Sequence, residues 1–250
     1  MLDGGATIRL LEADPDLGAG LSAHDLEAAR TRLVAPLRHV EPGDLDVEAA
    51  LPPRAGHRGV LVIDGLLTRD VVIAESACAE LVGPGDLLRP WDDPAAGGPI
   101  PSQVEWHVLA PSRLAPLDRD VAAAIGRWPE VTTALVTRAV TRAQTLAVAL
   151  SISCITGLKI RIQAMLWHLA DRFGKVGPAG VTLPLPVTHQ VIGRLVGASR
   201  PSVSTAMKEL EQGGALSRAD GGGYVLHGEP PEIAKLMADR RLAARAALRA

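Results

Sequence analysis

The sequence predicts an α+β protein: an N-terminal double-stranded β-helix (jelly roll), a long helix, and a C-terminal winged helix-turn-helix. Short β-prone runs separated by Gly- and Pro-rich turns fill residues 40–117, as in β-sandwiches and barrels. About 27 residues without Pro or Gly follow Pro129, which suits one long helix. Near the C-terminus, two short helical patterns meet at Gly197 and precede a Gly-rich hairpin pattern.

The composition indicates a soluble chain with a substantial core. Of 250 residues, 47% are hydrophobic and 22% charged, while aromatics make up only 2%, so aliphatic side chains must fill the core. No apolar run reaches the roughly 18 residues of a membrane span, and the acidic start does not resemble a signal peptide. We therefore expect a cytoplasmic protein without membrane contact.

Charge is divided unevenly along the chain. Residues 1–156 carry a net charge of −8 and residues 157–250 one of +6, which together give the formal net charge of −2. A basic C-terminal part favours a polyanionic partner, although chance sorting of surface charge produces the same asymmetry.

Four segments are expected. Residues 1–117 form the jelly-roll sensor or scaffold, with a helical start around residues 21–37 and short strands at 60–63 and 70–73, separated by turns such as DGLL. Residues 118–157 contain the long helix, residues 158–230 form the winged helix-turn-helix, and residues 231–250 form a helical tail. The third segment begins with a helix over 158–173, which the segment GKVGPAGVTLPLP ends.

The long helix carries a stripe of small and medium side chains at alternating spacings of four and three, which is typical of a helix paired with its symmetry mate. The alternative is that this stripe packs on the β-region. We call these six residues the seam: Val136, Val140, Ala143, Ala147, Leu150 and Cys154.

Residues 188–226 predict the helix-turn-helix and its wing. Thr188 and Ser199 are suited to cap two short helices, Gly197 to adopt a positive φ between them, and Pro201 to occupy a first helical turn. Gly213 and the residue after it end the second helix, and ALSR and YVL flank a Gly-rich tip. Apolar residues at helical spacing form the inner faces: Val191, Ile192, Leu195, Val196, Val203, Ala206, Met207 and Leu210.

The remaining positions of this unit are polar or cationic, and none between Thr188 and Lys208 is acidic. Such a surface suits the second helix of a helix-turn-helix in the major groove of DNA. A helical hairpin from another kind of core is the alternative, but it leaves this outer face unexplained. The expected DNA-binding residues are Arg200, Ser202, Ser204, Thr205, Lys208, Thr188 and His189.

The helix-turn-helix resembles that of the Crp/Fnr (cyclic-AMP receptor protein / fumarate-nitrate regulator) family. In that family a Thr opens the first helix, an apolar pair and Gly follow, and Gly-x-Ser-Arg opens the recognition helix. Here these are Thr188, residues 191–193 and residues 197–200, followed by Val203 and Leu210. Residues 38–44, 61–73 and 79–88 are similar, more loosely, to successive parts of the family's jelly roll. The resemblance implies a homodimeric transcription regulator that binds palindromic operators.

The sequence departs from the family members that bind cyclic nucleotides. Those members have a Gly-Glu dipeptide after the GPGD-like turn, and then an Arg followed closely by a small residue, because a buried phosphate needs a cation and backbone donors. Both features are missing after Asp86, and Arg113 comes too late. We therefore expect no control by cyclic AMP.

Other sensor chemistries lack support. Two separated cysteines cannot hold an iron–sulfur cluster, and we interpret Cys78 as a core residue and Cys154 as a seam residue. His57 and His107 are isolated in sequence, so we expect no metal and no cofactor. Trp91 and Trp106 either line a pocket or, as we favour, serve packing.

The sequence therefore predicts a DNA-binding regulator and not an enzyme, with no catalytic residues. Double-stranded DNA and a second copy are the expected partners, and RNA polymerase and an unidentified small-molecule effector are further candidates. Two alternatives stay open: a front domain that acts only as an effector-independent dimerisation scaffold, and a cupin-like jelly-roll enzyme or small-molecule-binding protein with a helical appendage.

Overall fold

The computed structural model describes residues 6–52, 56–92 and 99–232, which form two compact units, Met1–Ala147 and Val148–Ala250. This division falls inside the long helix, and the four segments expected from the sequence stay a prediction. From residue 233 onward, the expected helical tail lies outside the described residues.

The first unit is built on antiparallel strands. The strands are β1 Thr7–Arg9, β2 Val34–Pro36, β3 Arg38–Val40, β4 Gly43–Asp44, β5 Gly59–Ile73, β6 Ser76–Val82, β7 Leu87–Leu88 and β8 Gln103–Leu117. A six-stranded sheet has the order β3-β8-β5-β6, with β4 paired to β8 and β7 paired to β5. A separate pair joins β1 to β2. The helices that begin in this unit are α1 Leu10–Ala13, α2 Ala23–Arg32, α3 Val47–Ala50, α4 Arg119–Ile125 and α5 Pro129–Ser153.

Two expected strands prove to be one. The runs at 60–63 and 70–73 both belong to the 15-residue strand β5, and the DGLL segment between them is a bulge and not a turn. Gly65 has φ +98°, and a Cβ there would lie 2.4 Å from Cβ of Ser112. The hydroxyl of Ser112 accepts a hydrogen bond from the backbone N–H of Leu66. The irregular residues therefore bend the pair β5–β8 and shift its register without ending it.

The helical start is only partly as expected. Helix α2 begins after Ser22, whose hydroxyl accepts a hydrogen bond from the N–H of Asp25 at 3.1 Å, and it ends at Arg32. The following residues Val34–Pro36 are extended and pair with β1. The prediction of helix through residue 37 was therefore wrong, because strand pairing overrides the helical character of this segment.

Two buried clusters lie among the described residues of this unit. One lies between the N-terminal helices, the sheet and α4–α5, and includes Leu33, Leu61 and Leu135; the other lies within the sheet and includes Val62 and Trp106. Trp106 therefore packs in the core, as favoured from the sequence. The interpretation of Cys78 as a core residue was wrong, because its side chain is exposed on β6.

The elements that begin in the described part of the second unit are α6 Leu158–Phe173, β9 Lys175–Gly177, β10 Gly180–Leu183, α7 His189–Val196, α8 Arg200–Gln212, β11 Leu216–Arg218 and β12 Tyr224–Leu226. Its strands form a four-stranded antiparallel sheet of order β11-β12-β10-β9. The predicted helix over 158–173 and the wing strands are confirmed. The segment interpreted as a break after α6 proves to be the hairpin β9–β10, which pairs with the wing.

Candidate nucleic-acid interface

The turn between α7 and α8 forms as its residues predict. The hydroxyl of Thr188 accepts a hydrogen bond from the N–H of Val191 at 3.3 Å and so caps α7. Gly197 ends α7 in the left-handed conformation, with φ 63° and ψ 50°. Ser199 then caps α8 by accepting from the N–H of Ser202 at 3.4 Å, and Pro201 lies in the first turn. The two helices therefore meet at a tight, well-capped turn.

The outer face of α8 is polar and accessible. Arg200, Ser202, Thr205 and Lys208 are exposed, whereas the inner-face residues predicted for α8 are buried. No acidic residue lies in the first turn, so the partial positive charge of the helix N-terminus is not opposed there. These four predicted DNA-binding residues of α8 are therefore accessible to a partner.

Hydroxyl groups on α8 are partly engaged with its own backbone. The hydroxyl of Ser204 donates to the carbonyl of Arg200 at 3.0 Å, and that of Thr205 donates to the carbonyl of Pro201 at 3.3 Å. Ser204 is half-buried, unlike Thr205. Of the predicted DNA contacts, Ser204 is therefore the one most withdrawn from the surface.

His189 links the start of α7 to α8 and to the wing. Nη2 of Arg218 lies 3.1 Å from Nε2 of His189, and Nδ1 of His189 lies 2.9 Å from Oγ of Ser204. A guanidinium only donates, so Nε2 is the acceptor, and Nδ1 carries the proton that it donates to Ser204. The guanidinium of Arg218 also stacks on the ring of Tyr224, 4.6 Å from its centroid.

Sequence reasoning missed Arg218. The sequence feature that could have identified it is its position, since it is a cationic residue at the end of the first wing strand, next to a helix-turn-helix. Contact with His189 places it beside the predicted interface, and its ion pair with Glu211 at 3.5 Å positions the side chain. We therefore add Arg218 to the candidate interface.

Acid is expected to destabilise the protein through His189. Burial, followed by the positive charge of Arg218, lowers the pKa of His189 below its ordinary value of 6.5. The unfolded chain then binds a proton before the folded one does, so the free energy of unfolding decreases as the pH falls through 6.5. His189→Gln keeps one acceptor and one donor without titrating, and should weaken this dependence in denaturant titrations between pH 5 and 8. Identical pH profiles for both proteins would contradict the assignment.

Helix α5 has two different faces. Its inner face packs Val131 and Leu135 into the core, and Arg138 is ion-paired with Asp14. The six seam residues are all exposed, with exposed fractions of 58% for Val136, 51% for Val140 and 66% for Leu150. The alternative that the seam packs on the β-region is therefore wrong.

No helix in the described parts of the chain is both long and apolar enough to cross a membrane.

His107 is not isolated, contrary to expectation. Strand pairing brings it next to carboxylates from three strands: Asp44 on β4, Asp70 on β5 and Glu105 on β8. This group was not predictable from the sequence, because Asp44 and Asp70 are far from His107 along the chain and are joined to it only by strand register. His107, Asp70 and Glu105 are the described residues whose arrangement suits a metal ion.

Sequence comparison identifies the helix-turn-helix. The profile of the Crp-like helix-turn-helix domain matches residues 160–229, from α6 to the wing. A stretch of 74 residues is 32% identical to Regulatory protein CysR of Synechococcus elongatus and makes up 28% of this chain. The match spans 36% of CysR, about a third of its length.

Solved structures share the fold of the chain. A CooA mutant from Carboxydothermus hydrogenoformans is 15% identical, with a TM-score of 0.60 over 92% of this chain and 95% of that one. FixK2 from Bradyrhizobium japonicum is also 15% identical, with a TM-score of 0.56 over 78% of this chain and 93% of FixK2.

Fold and site together define a winged helix-turn-helix protein with a sheet-rich N-terminal unit like that of cyclic-nucleotide-binding proteins. Residues 160–229 are a Crp-like helix-turn-helix domain, and the chain shares the fold of the solved structures named above. This confirms the resemblance found in the sequence.

Proposed function

We propose that this protein binds palindromic operator DNA as a homodimer, with one α8 in the major groove of each half-site. The observation that carries the proposal is the start of α8, where exposed Arg200, Ser202 and Thr205 face outward from a capped helix without acidic neighbours in its first turn. The two-fold symmetry of a dimer would require half-sites about one helical turn apart.

Arg200 is proposed to read a guanine. Its guanidinium donates through several N–H groups, and a guanine edge offers the two acceptors O6 and N7. Family members that read a well-known guanine-containing half-site follow this Arg with Glu and place a second Arg five residues after the first. Here these positions are Pro201 and Thr205. Since Pro cannot accept a hydrogen bond from cytosine, the base preference is expected to differ from that half-site.

The remaining predicted residues are proposed to hold the phosphate backbone or to contact neighbouring bases. Lys208 is exposed on α8, and Thr188 and His189 lie at the start of α7. Ser202 lies in the first turn of α8, and Ser204 follows that turn. We add Arg218 of the wing as a phosphate contact, because its guanidinium lies 3.1 Å from His189. Contacts of this kind position the protein without selecting a sequence.

Dimerisation is proposed to use the seam on α5. Supporting evidence is the exposure of all six seam residues, since monomeric proteins rarely leave a continuous apolar stripe in water. Three of the six, Ala143, Ala147 and Cys154, are small and permit close approach of two helices.

Cyclic AMP is expected neither to bind tightly nor to change DNA affinity. Besides the missing sequence features, the arginines that α5 presents to the turn after β6 are already engaged. Arg138 pairs with Asp14, and Arg142 bonds Glu80 and the carbonyl of Leu87. Titration calorimetry with cyclic AMP should show no saturable heat. A micromolar or tighter dissociation constant would prove the prediction wrong.

The N-terminal unit is proposed to act as an effector sensor, or else as a scaffold for dimerisation alone. A thermal-shift screen with small metabolites distinguishes these roles, because a ligand that binds only the folded state raises the melting temperature. RNA polymerase is a proposed partner of the DNA-bound dimer. The proposed location of the protein is the cytoplasm.

A further inference from the structure

One face of the pair β5–β8 gathers an unusual set of charges. Asp70 lies directly opposite Glu105 in the antiparallel register, and His107 lies two residues further along β8. Because alternate residues of a strand point to the same side, Glu105 and His107 share a face. Nε2 of His107 is 3.2 Å from Oδ2 of Asp70 and 3.8 Å from Oε2 of Glu105. Like charges directly opposite one another destabilise a sheet, so a positive charge beside Asp70 and Glu105 stabilises this register.

Asp44 fixes the tautomer of His107. Its Oδ1 lies 2.7 Å from Nδ1, and because a carboxylate only accepts, Nδ1 must carry a proton. The other ring nitrogen, Nε2, faces the oxygens of Asp70 and Glu105 and is the atom that a metal ion would bind. A carboxylate on Nδ1 with a metal on Nε2 is the usual arrangement of metal-binding histidines.

The spacing of the three ligand atoms suits a metal ion. With metal–ligand bonds of about 2.1 Å, neighbouring ligand atoms lie about 3.0–3.4 Å apart in octahedral or tetrahedral geometry. The distance of 3.2 Å from Asp70 to His107 falls in this range, and the three ligand atoms lie within 4.8 Å of one another. Only a small movement of Glu105, which is half exposed, is needed to complete the set.

An ion can reach this group from solvent. An open cavity of about 610 Å³ borders it, and Asp44, Glu105 and His107 are among the lining residues. Asp46 and Glu48 also line this cavity, so its lining is acidic and favours cations. Asp70, by contrast, is fully buried and supplies a fixed ligand on a central strand.

We propose that Asp70, Glu105 and His107 bind a divalent transition-metal ion, with Asp44 as the carboxylate that orients His107. One imidazole nitrogen and carboxylate oxygens suit Zn²⁺ or Mn²⁺. The site departs from the sequence expectation of no metal, and it does not depend on the proposed DNA binding.

The test is calorimetric titration of the full chain, stripped of metal, with ZnCl₂ and separately with MnCl₂. The wild type should bind one ion per chain with a micromolar or tighter dissociation constant for at least one of them. Glu105→Gln and His107→Gln should each weaken binding at least tenfold, and Asp44→Asn about tenfold, as is typical of an outer carboxylate. Circular dichroism checks that each variant is folded; Glu105 and Asp44 are accessible enough to change without disturbing the core.

Glu48→Gln is the matched control, because it removes a carboxylate from the same cavity but not from the proposed ligand set. It should bind as the wild type does. The proposal is overturned if the wild type binds neither ion, or if Glu105→Gln and His107→Gln bind as tightly as Glu48→Gln.

Discussion

Glutamate in place of Ala143 should convert the proposed dimer to monomers. Ala143 lies at the middle of the exposed seam, so two-fold pairing of α5 would bury one unpaired carboxylate from each chain. An uncompensated buried charge costs about 3–5 kcal/mol. Since the dimer would bury two such charges, its dissociation constant should rise by at least about two to four orders of magnitude. Sedimentation velocity at micromolar concentration measures the change.

Thr141→Glu is the control for added charge, since Thr141 is exposed on α5 but lies outside the seam. It should remain a dimer. A wild-type protein that sediments as a monomer at micromolar concentration would contradict the proposed interface, and so would a dimeric Ala143→Glu variant.

Arg200→Ala should weaken binding to the best operator by about 1–3 kcal/mol, or about 5- to 150-fold. The variant loses the two hydrogen bonds proposed for one guanine in each half-site, so selectivity should relax at that base pair. Arg200 is exposed at the start of α8, and its loss should leave the fold intact. Fluorescence anisotropy with the operator and with single-base variants measures both effects.

Lys208→Ala serves as the comparison, because Lys208 is exposed on the same helix but is assigned to phosphate. The variant should weaken binding to all DNA sequences by the same factor. It should also reduce the slope of log K against log salt concentration by about 1. If Arg200→Ala bound its best site as tightly and selectively as the wild type, α8 would not be the recognition helix.

The local elements of the second unit were predictable from sequence. Thr188, Gly197 and Ser199 act on backbone groups within a few residues, so their roles follow from residue type and spacing alone. The exposed seam was also predictable, since its period is a property of one helix.

Long-range pairing was not predictable in the same way. The bulge at Gly65 depends on the close approach of Ser112, 47 positions later, so DGLL looked like a turn. The group around His107 depends on the register of β4, β5 and β8, which a single sequence does not specify. Cys78 was misplaced because a small apolar residue in a strand gives no sign of which face is covered.

The central claim is that α8 of a two-fold dimer reads DNA. Selection of bound duplexes from a random library by the purified full chain tests it most directly, with Arg200→Ala selected in parallel. We expect two inverted half-sites with centres about 10 base pairs apart, each with a guanine whose enrichment disappears in the variant. Recovery of no common sequence, or of the same palindrome with the same guanine by both proteins, would contradict the account.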